Sequence, residues 1–514
     1  MSQFKRDQVQ DMYYLSPMQE GMLFHTLHHQ EKGFYVEQMD MNVKGILRYD
    51  LLEESMNIIV ERYDIFRTVF LHEKVKRPVQ VVLKKRPFQL DVVDMQGLSE
   101  EEQHERIETF KQKDQLRGFD LSKDQLMRAS VFQTGPASYR WIWSYHHILL
   151  DGWCFGLVVQ ELFAIYHALL HGNPYRLQPV KPYKEYIQWL EKQDKQASLQ
   201  YWQQSLAGFD GQSTFKEQRK QTNEHELGEI EWSMSKEETA ALSEFALQQN
   251  ATLSSALQSV WSILLSRYQR SNDVLFGTVV SGRPAELAGV DRMVGLFINV
   301  IPRRIQLTNQ TTFRSLLAET QQQSLSAEPH QYIPIYDIQA KTGQQQLIDH
   351  IVVFENVPTA MKDEQESLLG FTVEEMNVYE KSNYDLNLLA SPGEQLQLKL
   401  AFNQKAFDPA FVHRLKEQLV LLIKEAIKHP DQSVHTLTLV TKQEKQLILE
   451  KLNAPELEHD QLYLSKWFEH NVSKQPNAVA LSAGEQTMTY AELNEQANRL
   501  RGTYKKMGPH IKRS

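Results

Sequence analysis

Cysteine is nearly missing from this chain: Cys154 is the only one in 514 residues. That excludes an intrachain disulfide and any multi-cysteine metal site, and it points to a reducing, cytoplasmic compartment. Long apolar runs are lacking too, with no stretch of about eighteen consecutive apolar residues, so no membrane span is expected. The amino terminus, Met1 to Gln10, is polar and charged and has no signal-peptide core. Nor is there a basic excess. The formal charge is -9, and the short runs Lys74-Val75-Lys76-Arg77 and Lys84-Lys85-Arg86 read as solvated strand ends, so no nucleic-acid partner is expected. What is present is an ordinary globular mixture, 41% hydrophobic and 24% charged. At this length one core does not suffice, and two or more domains or lobes are expected.

The stretch Tyr145-His146-His147-Ile148-Leu149-Leu150-Asp151-Gly152-Trp153-Cys154 organises the rest. Before it, Trp141, Trp143 and Tyr145 alternate with Arg140, Ile142 and Ser144, which predicts a strand. Carried through the histidines, that period of two puts His146 and His147 on opposite faces, one toward a reaction centre and one toward the interior. After it, Val158, Leu162, Ile165, Tyr166 and Leu169 recur at helical spacing, predicting a helix over 155–170. The histidines then sit at a strand-to-helix turn, where Gly152 permits a backbone geometry that a bulkier residue would resist. Asp151, too close in the turn for a His-to-Asp relay, fixes the turn or pairs with a cation. On spacing alone, paired histidines are as readily two core imidazoles as a functional pair. Cys154 lacks an evident activating partner and reads as a buried thiol rather than a nucleophile.

Elsewhere, Ser16 with Pro17 and Gln19 has capping-box spacing at a helix start. The span 54–63 has a helical pattern, and Phe66-Arg67-Thr68-Val69-Phe70 alternates like a strand, with Arg67 on the face of Val69. A buried guanidinium needs an anion. Asp151 is the partner expected for Arg67, with Arg62 competing for that role. Pro174, Pro179 and Pro182 break regular structure, as a connector would, and Tyr183 to Leu190 and Tyr201-Trp202 read as helix with aromatic anchors. Thr252 to Tyr268 carries the cleanest helical stripe. Val274 to Val280 is a predicted strand, followed by a turn at Ser281-Gly282-Arg283-Pro284.

His146-His147-x-x-x-Asp151-Gly152 is identical to the signature of condensation domains of nonribosomal peptide synthetases, relatives of chloramphenicol acetyltransferase. Further motifs resemble that family in order. They are Tyr13 to His25, Glu61 to Phe70, Tyr183 to Trp202, Val294 to Val300, His330 to Asp337, and Lys381 to Leu388. In overall texture the chain is similar to the amino-terminal condensation domain of the terminal subunit of surfactin-type lipopeptide synthetases. After about Val440 a charged linker leads to Met488-Thr489-Tyr490-Ala491-Glu492-Leu493, which resembles the first motif of an adenylation domain. No Gly-rich phosphate loop or carrier attachment site follows, so this chain alone is expected neither to activate amino acids nor to carry them.

The resemblance implies an α/β fold of two chloramphenicol-acetyltransferase-like lobes in a V-shaped pseudodimer. The implied segments are a docking segment over 1–14, an N-lobe over 15–175, a C-lobe over 176–440, and a linker with the start of an adenylation domain over 441–514. The implied activity is acyl transfer: the amine of a downstream carrier-bound aminoacyl thioester attacks an upstream acyl or peptidyl thioester. His147 is then the residue within reach of the amine, as general base, as orienting group or as electrostatic stabiliser. His146 and Asp151 hold the turn, Gly152 offers a backbone N–H to the oxyanion, and the motif arginine, Arg67 or Arg62, braces Asp151. No metal and no covalently bound cofactor is expected, since the 4'-phosphopantetheine arms arrive on partner carrier domains. The implied partners are an upstream peptidyl carrier or epimerisation-domain terminus and a downstream aminoacyl carrier. Asp151-Gly152-Trp153-Cys154 resembles the subclass that takes a donor ending in a D-residue. An epimerisation domain of the same fold and a catalytically silent docking platform are the alternatives, whereas His146 contradicts a heterocyclisation domain.

Overall fold

In the computed structural model, residues 4–28, 33, 35–210, 215–222, 224–344, 346–355, 369–379, 384–452 and 464–506 are described. They fall into two compact units, Met1–Leu439 and Val440–Ser514.

The first unit begins with β1 (Val9–Tyr14) and α1 (Pro17–His28). The expected cap is present: Ser16 N–H donates to Gln19 Oε1 at 2.9 Å, and Gln19 N–H returns to Ser16 Oγ at 3.3 Å. Then come β2 (Val36–Gly45), α2 (Tyr49–Arg62), β3 (Thr68–Leu71), β4 (Val79–Leu83), β5 (Leu90–Asp94) and α3 (Glu100–Arg117). The hairpin of β6 (Met127–Gly135) and β7 (Ser138–His146) leads into α4 (Gly152–Leu170). The strand and helix expected on either side of the histidines are therefore both formed.

Strands β1, β4 and β3 make a small antiparallel sheet. Residues 9–14 pair with 79–83 and so belong to this sheet. The alternation in Val9 to Tyr14 buries every second side chain partway, and that is enough to zip the segment onto β4.

Two short helices follow the proline-rich 171–182, α5 (Lys184–Leu190) and α6 (Lys195–Ser205). Then come β8 (Leu227–Ser233), α7 (Lys236–Gln248), α8 (Leu253–Gln269), β9 (Asp273–Val280) and β10 (Asn299–Gln306). They are followed by α9 (Phe313–Ala327), α10 (Ile335–Thr342), β11 (Ile351–Phe354), β12 (Phe371–Tyr379), β13 (Leu386–Ser391), β14 (Gln397–Asn403) and α11 (Pro409–Lys428). Of the motif Lys381 to Leu388, residues 381–383 lie outside the described residues.

Two larger sheets carry the unit. One has the order β12-β2-β7-β6-β5 and the other β10-β9-β11-β13-β14-β8. In the first, α2 and α4 bury Leu52, Met56, Ile59, Val158, Leu162 and Tyr166 against Met39, Met41, Trp141 and Trp143. The opposite face packs Ile142 and Phe132 against Ile107 of α3. In the second sheet α7, α8, α9 and α11 fill one face around Trp261, Leu264, Phe313 and Leu415. The other face is covered in part by Trp202 and Ile338 from α6 and α10. β12 lies within 176–440 yet hydrogen-bonds to β2, so the later part of the chain contributes an edge strand to the sheet of the histidines.

By length and mean hydropathy alone α4 is apolar enough to cross a membrane. Its apolar residues, however, are core residues of this unit, and Glu161 on it carries an ion pair with Arg62. The second unit holds α12 (Lys442–Gln446), α13 (Leu464–Lys474), the hairpin β15 (Val479–Ala483) with β16 (Gln486–Thr489), and α14 (Tyr490–Lys506). None of its described residues is buried.

Candidate active site

Strand β7 ends at His146, and its alternation, carried one residue further, separates the two histidines as expected. His146 is fully buried and His147 is half-buried on the wall of a cavity of about 1790 Å³. His146 Nδ1 accepts the Ile148 N–H at 3.1 Å, so Nε2 carries the proton and donates to Thr26 Oγ1 at 3.2 Å. Burial, with a smaller contribution from His147, drives the His146 pKa down from 6.5 to about 3, and the ring is neutral. The ring thus joins the turn after β7 to α1 through Ile148 and Thr26.

His147 is held differently. Its backbone N–H donates to Tyr35 O at 2.8 Å, which extends the β2–β7 ladder by one residue. Its Nδ1 lies 2.8 Å from Leu150 O. A carbonyl can only accept, so Nδ1 carries the proton and Nε2 keeps a free lone pair. Among the described residues Nε2 makes no hydrogen bond, and His147 lines the cavity. Tyr35, Glu37, Met39 and Tyr145 line the same cavity from β2 and β7, every second residue, as the pleat requires.

Asp151 caps α4 and is 1% exposed. Oδ1 accepts the Cys154 N–H at 2.9 Å and Oδ2 the Phe297 N–H at 3.1 Å. Its cation is Arg283, whose Nη2 lies 3.4 Å from Oδ1. This overturns the pairing expected from the sequence. Arg67 is buried, but in a short 3₁₀ turn, Asp64–Arg67, before β3 rather than in a strand. Its guanidinium binds Asp64 Oδ1 at 2.7 Å, the carbonyls of Val60, Glu61 and Leu83, and Gln10 Oε1. Arg62 forks onto Glu161 at 2.7 and 2.9 Å. Both arginines are satisfied locally, because a 3₁₀ turn aims Arg67 at the end of its own helix and α2 packs alongside α4.

Gly152 is the exposed first residue of α4, where backbone N–H groups have no partner within the helix. It is not among the glycines with positive φ, so its backbone needs no left-handed conformation. The glycine that does is Gly282, at φ 62°, where an added Cβ would collide with Phe297 O. That tight approach delivers Arg283 to Asp151. The Arg283 side chain is 8% exposed and stacks on Phe297, its Cζ 4.0 Å from the ring centroid. Cys154 is fully buried, and desolvation, reinforced by Asp151, pushes its thiol up to about 12, which makes it no nucleophile.

The cavity is also lined by residues of the six-stranded sheet, including Val279, Val353, Leu389, Glu229, Glu231 and Lys399. α1 contributes Glu20, Phe24 and Leu27. Arg283 was not singled out from the sequence as a site residue. Its only signal was an arginine after a glycine in a predicted turn.

Residues 9–449 match the family described as "Condensation domain". The chain is 56% identical over 510 residues to surfactin synthase subunit 3 of Bacillus subtilis (strain 168), covering 99% of this chain and 40% of that protein. It is 41% identical over 506 residues to gramicidin S synthase 2 of Brevibacillus brevis, covering 97% of this chain and 11% of that protein. The chain thus spans well under half the length of these relatives. A four-domain nonribosomal peptide synthetase, holo-AB3403, is similar in structure with a TM-score of 0.74 at 17% identity, over 98% of this chain and 39% of that one. The first condensation domain of the calcium-dependent antibiotic synthetase gives 0.69 at 16% identity, over 84% and 100%.

Proposed function

Because the chain belongs to the condensation-domain family of nonribosomal peptide synthetases, amide-forming acyltransferases with the two-lobed chloramphenicol-acetyltransferase-like fold, we propose that His147 mediates peptide-bond formation between two carrier-bound thioesters in its cavity. The observation that carries this reading is the His147 tautomer, with Nδ1 engaged by Leu150 O and Nε2 left as a lone pair on the cavity wall.

The α-amine of the acceptor attacks the carbonyl carbon of the donor thioester. One N–H proton passes to His147 Nε2 as the C–N bond forms. The carbonyl oxygen becomes an oxyanion, and the Gly152 N–H at the start of α4 supports its charge. Collapse breaks the C–S bond, and the proton held on His147 goes to the departing thiolate. An α-amine of pKa about 7.7–8.0 is partly neutral near pH 7, so the demand on the base is modest and alignment carries much of the rate. Holding both thioesters in one cavity can contribute roughly 7 to 11 kcal/mol.

The 4'-phosphopantetheine arms belong to the substrates and come with an upstream and a downstream carrier domain. The Asp151-Gly152-Trp153-Cys154 form of the motif supports a donor ending in a D-residue.

The test is single-turnover peptide transfer between loaded carrier domains, read by mass spectrometry, with D- and L-ending donors in parallel. Wild type is expected to form the amide, preferentially from the D-donor, and folded His147→Ala to form none. Product from the mutant at the wild-type rate would remove His147 from the chemistry.

A further inference from the structure

We propose that Cys154 is a positioning residue for this reaction, acting through Arg283 and the segment 293–297. The inference rests on the amide-forming reading of the cavity and assigns a role to a side chain that this reading leaves idle.

Four contacts converge on the sulfur. Arg283 Nη2 donates to Cys154 Sγ at 2.9 Å, nearer than the 3.4 Å from the same nitrogen to Asp151. The Gly295 N–H donates to Sγ at 3.3 Å. The thiol proton has Gly295 O at 3.1 Å and Met293 O at 3.5 Å as acceptors. Asp151 supplies a further anchor to the same segment through the Phe297 N–H. The first turn of α4 is therefore bolted to 293–297 by one carboxylate and one sulfur.

The segment is clamped from its other side as well. Tyr183 donates its hydroxyl to Leu296 O, and its ring lies so close to Gly295 that any Cβ there would overlap it. Held between Tyr183 and the start of α4, 293–297 has no room to slide.

What the clamp fixes is the cavity. His147, Gly152 and Trp153 line one side of it, and Ser281, Arg283, Ile298 and Asn299 line another. The sulfur sits where these two groups are joined, so it sets the gap into which the thioester carbonyl must fit. Arg283 adds a second sign of the sulfur's role. Its Nε and Nη1 are buried without a hydrogen-bond partner among the described residues. Ring stacking and Nη2 alone hold this guanidinium beside Asp151, so a lost sulfur acceptor frees it to turn.

Serine keeps a donor and an acceptor at this position, whereas alanine keeps neither. We expect Cys154→Ala to lower kcat for peptide transfer roughly 10- to 100-fold, the scale of a misplacement of about 1 Å, with KM for both thioesters near wild type. Cys154→Ser should restore most of kcat. In Cys154→Ala/Arg283→Lys the losses should be less than multiplicative, because both act through one contact. Hydrogen exchange at the amides of 293–297 should quicken in Cys154→Ala and not in Cys154→Ser. Wild-type kcat in a folded Cys154→Ala, failure of serine to rescue, or unchanged exchange at 293–297 would overturn the proposal. If wild type forms no amide at all, the catalytic reading fails, and the exchange measurement still decides whether the sulfur holds the segment.

Discussion

A buried imidazole that cannot take a proton makes a protein sensitive to acid, and His146 is such a group. Folding lowers its pKa from 6.5 to about 3, so between these values the unfolded chain binds a proton that the folded chain refuses. Stability due to His146 is therefore complete above about pH 6.5 and lost as pH falls, by up to ~1.4 kcal/mol per pH unit. Urea midpoints measured from pH 8 to pH 5 are expected to fall with a steeper slope in wild type than in His146→Asn. Parallel slopes would mean that the ring is not buried neutral. The same sites show how different two neighbouring histidines become when one turn gives one of them a carbonyl and the other an amide to bind.

At the scale of elements, the short turn carrying Arg67 ties α2 to β4 by binding the carbonyls of Val60 and Glu61 on one and of Leu83 on the other with one guanidinium. Arg67→Ala leaves those acceptors and Asp64 without their donor. It is expected to destabilise the protein by about 3–5 kcal/mol, seen as a lower Tm, with kcat of the folded fraction intact. A selective loss of kcat would restore Arg67 to the active site.

The sequence made the strand-to-helix turn, the cap of α1 and the length of α8 legible, because period, capping residues and apolar stripes are local properties. It did not reveal the counterion of Asp151. Arg67 and Arg283 are both arginines in apolar surroundings, and only the path of the chain decides which arrives; the one that does lies 132 residues away. The strained glycine needed to build the motif is Gly282, on the partner segment.

At the scale of the molecule, the two compact units differ in kind. The first has continuous cores, while no described residue of 440–514 is buried, and Leu464, Trp467 and Tyr504 are 87%, 60% and 60% exposed. The residues to which we assign the chemistry, and their supports, all lie in the first unit. A chain ending at residue 449, the end of the family match, is therefore expected to transfer peptide between loaded carriers at the wild-type rate and to keep the Tm of its main unfolding transition. A large loss of rate in that folded truncation would give residues 450–514 a part in the reaction.

The pairing of β12 with β2 bears on how such proteins can be recombined. A chimera spliced at 175/176, the boundary suggested by motif order, would take Phe371–Tyr379 from one parent and its hydrogen-bonding neighbour Val36–Gly45 from the other. The graft would then inherit a mismatched seam along the sheet that ends in His146. Parents meant to be exchanged by halves must share that nine-residue ribbon, or it must travel with the amino-terminal half.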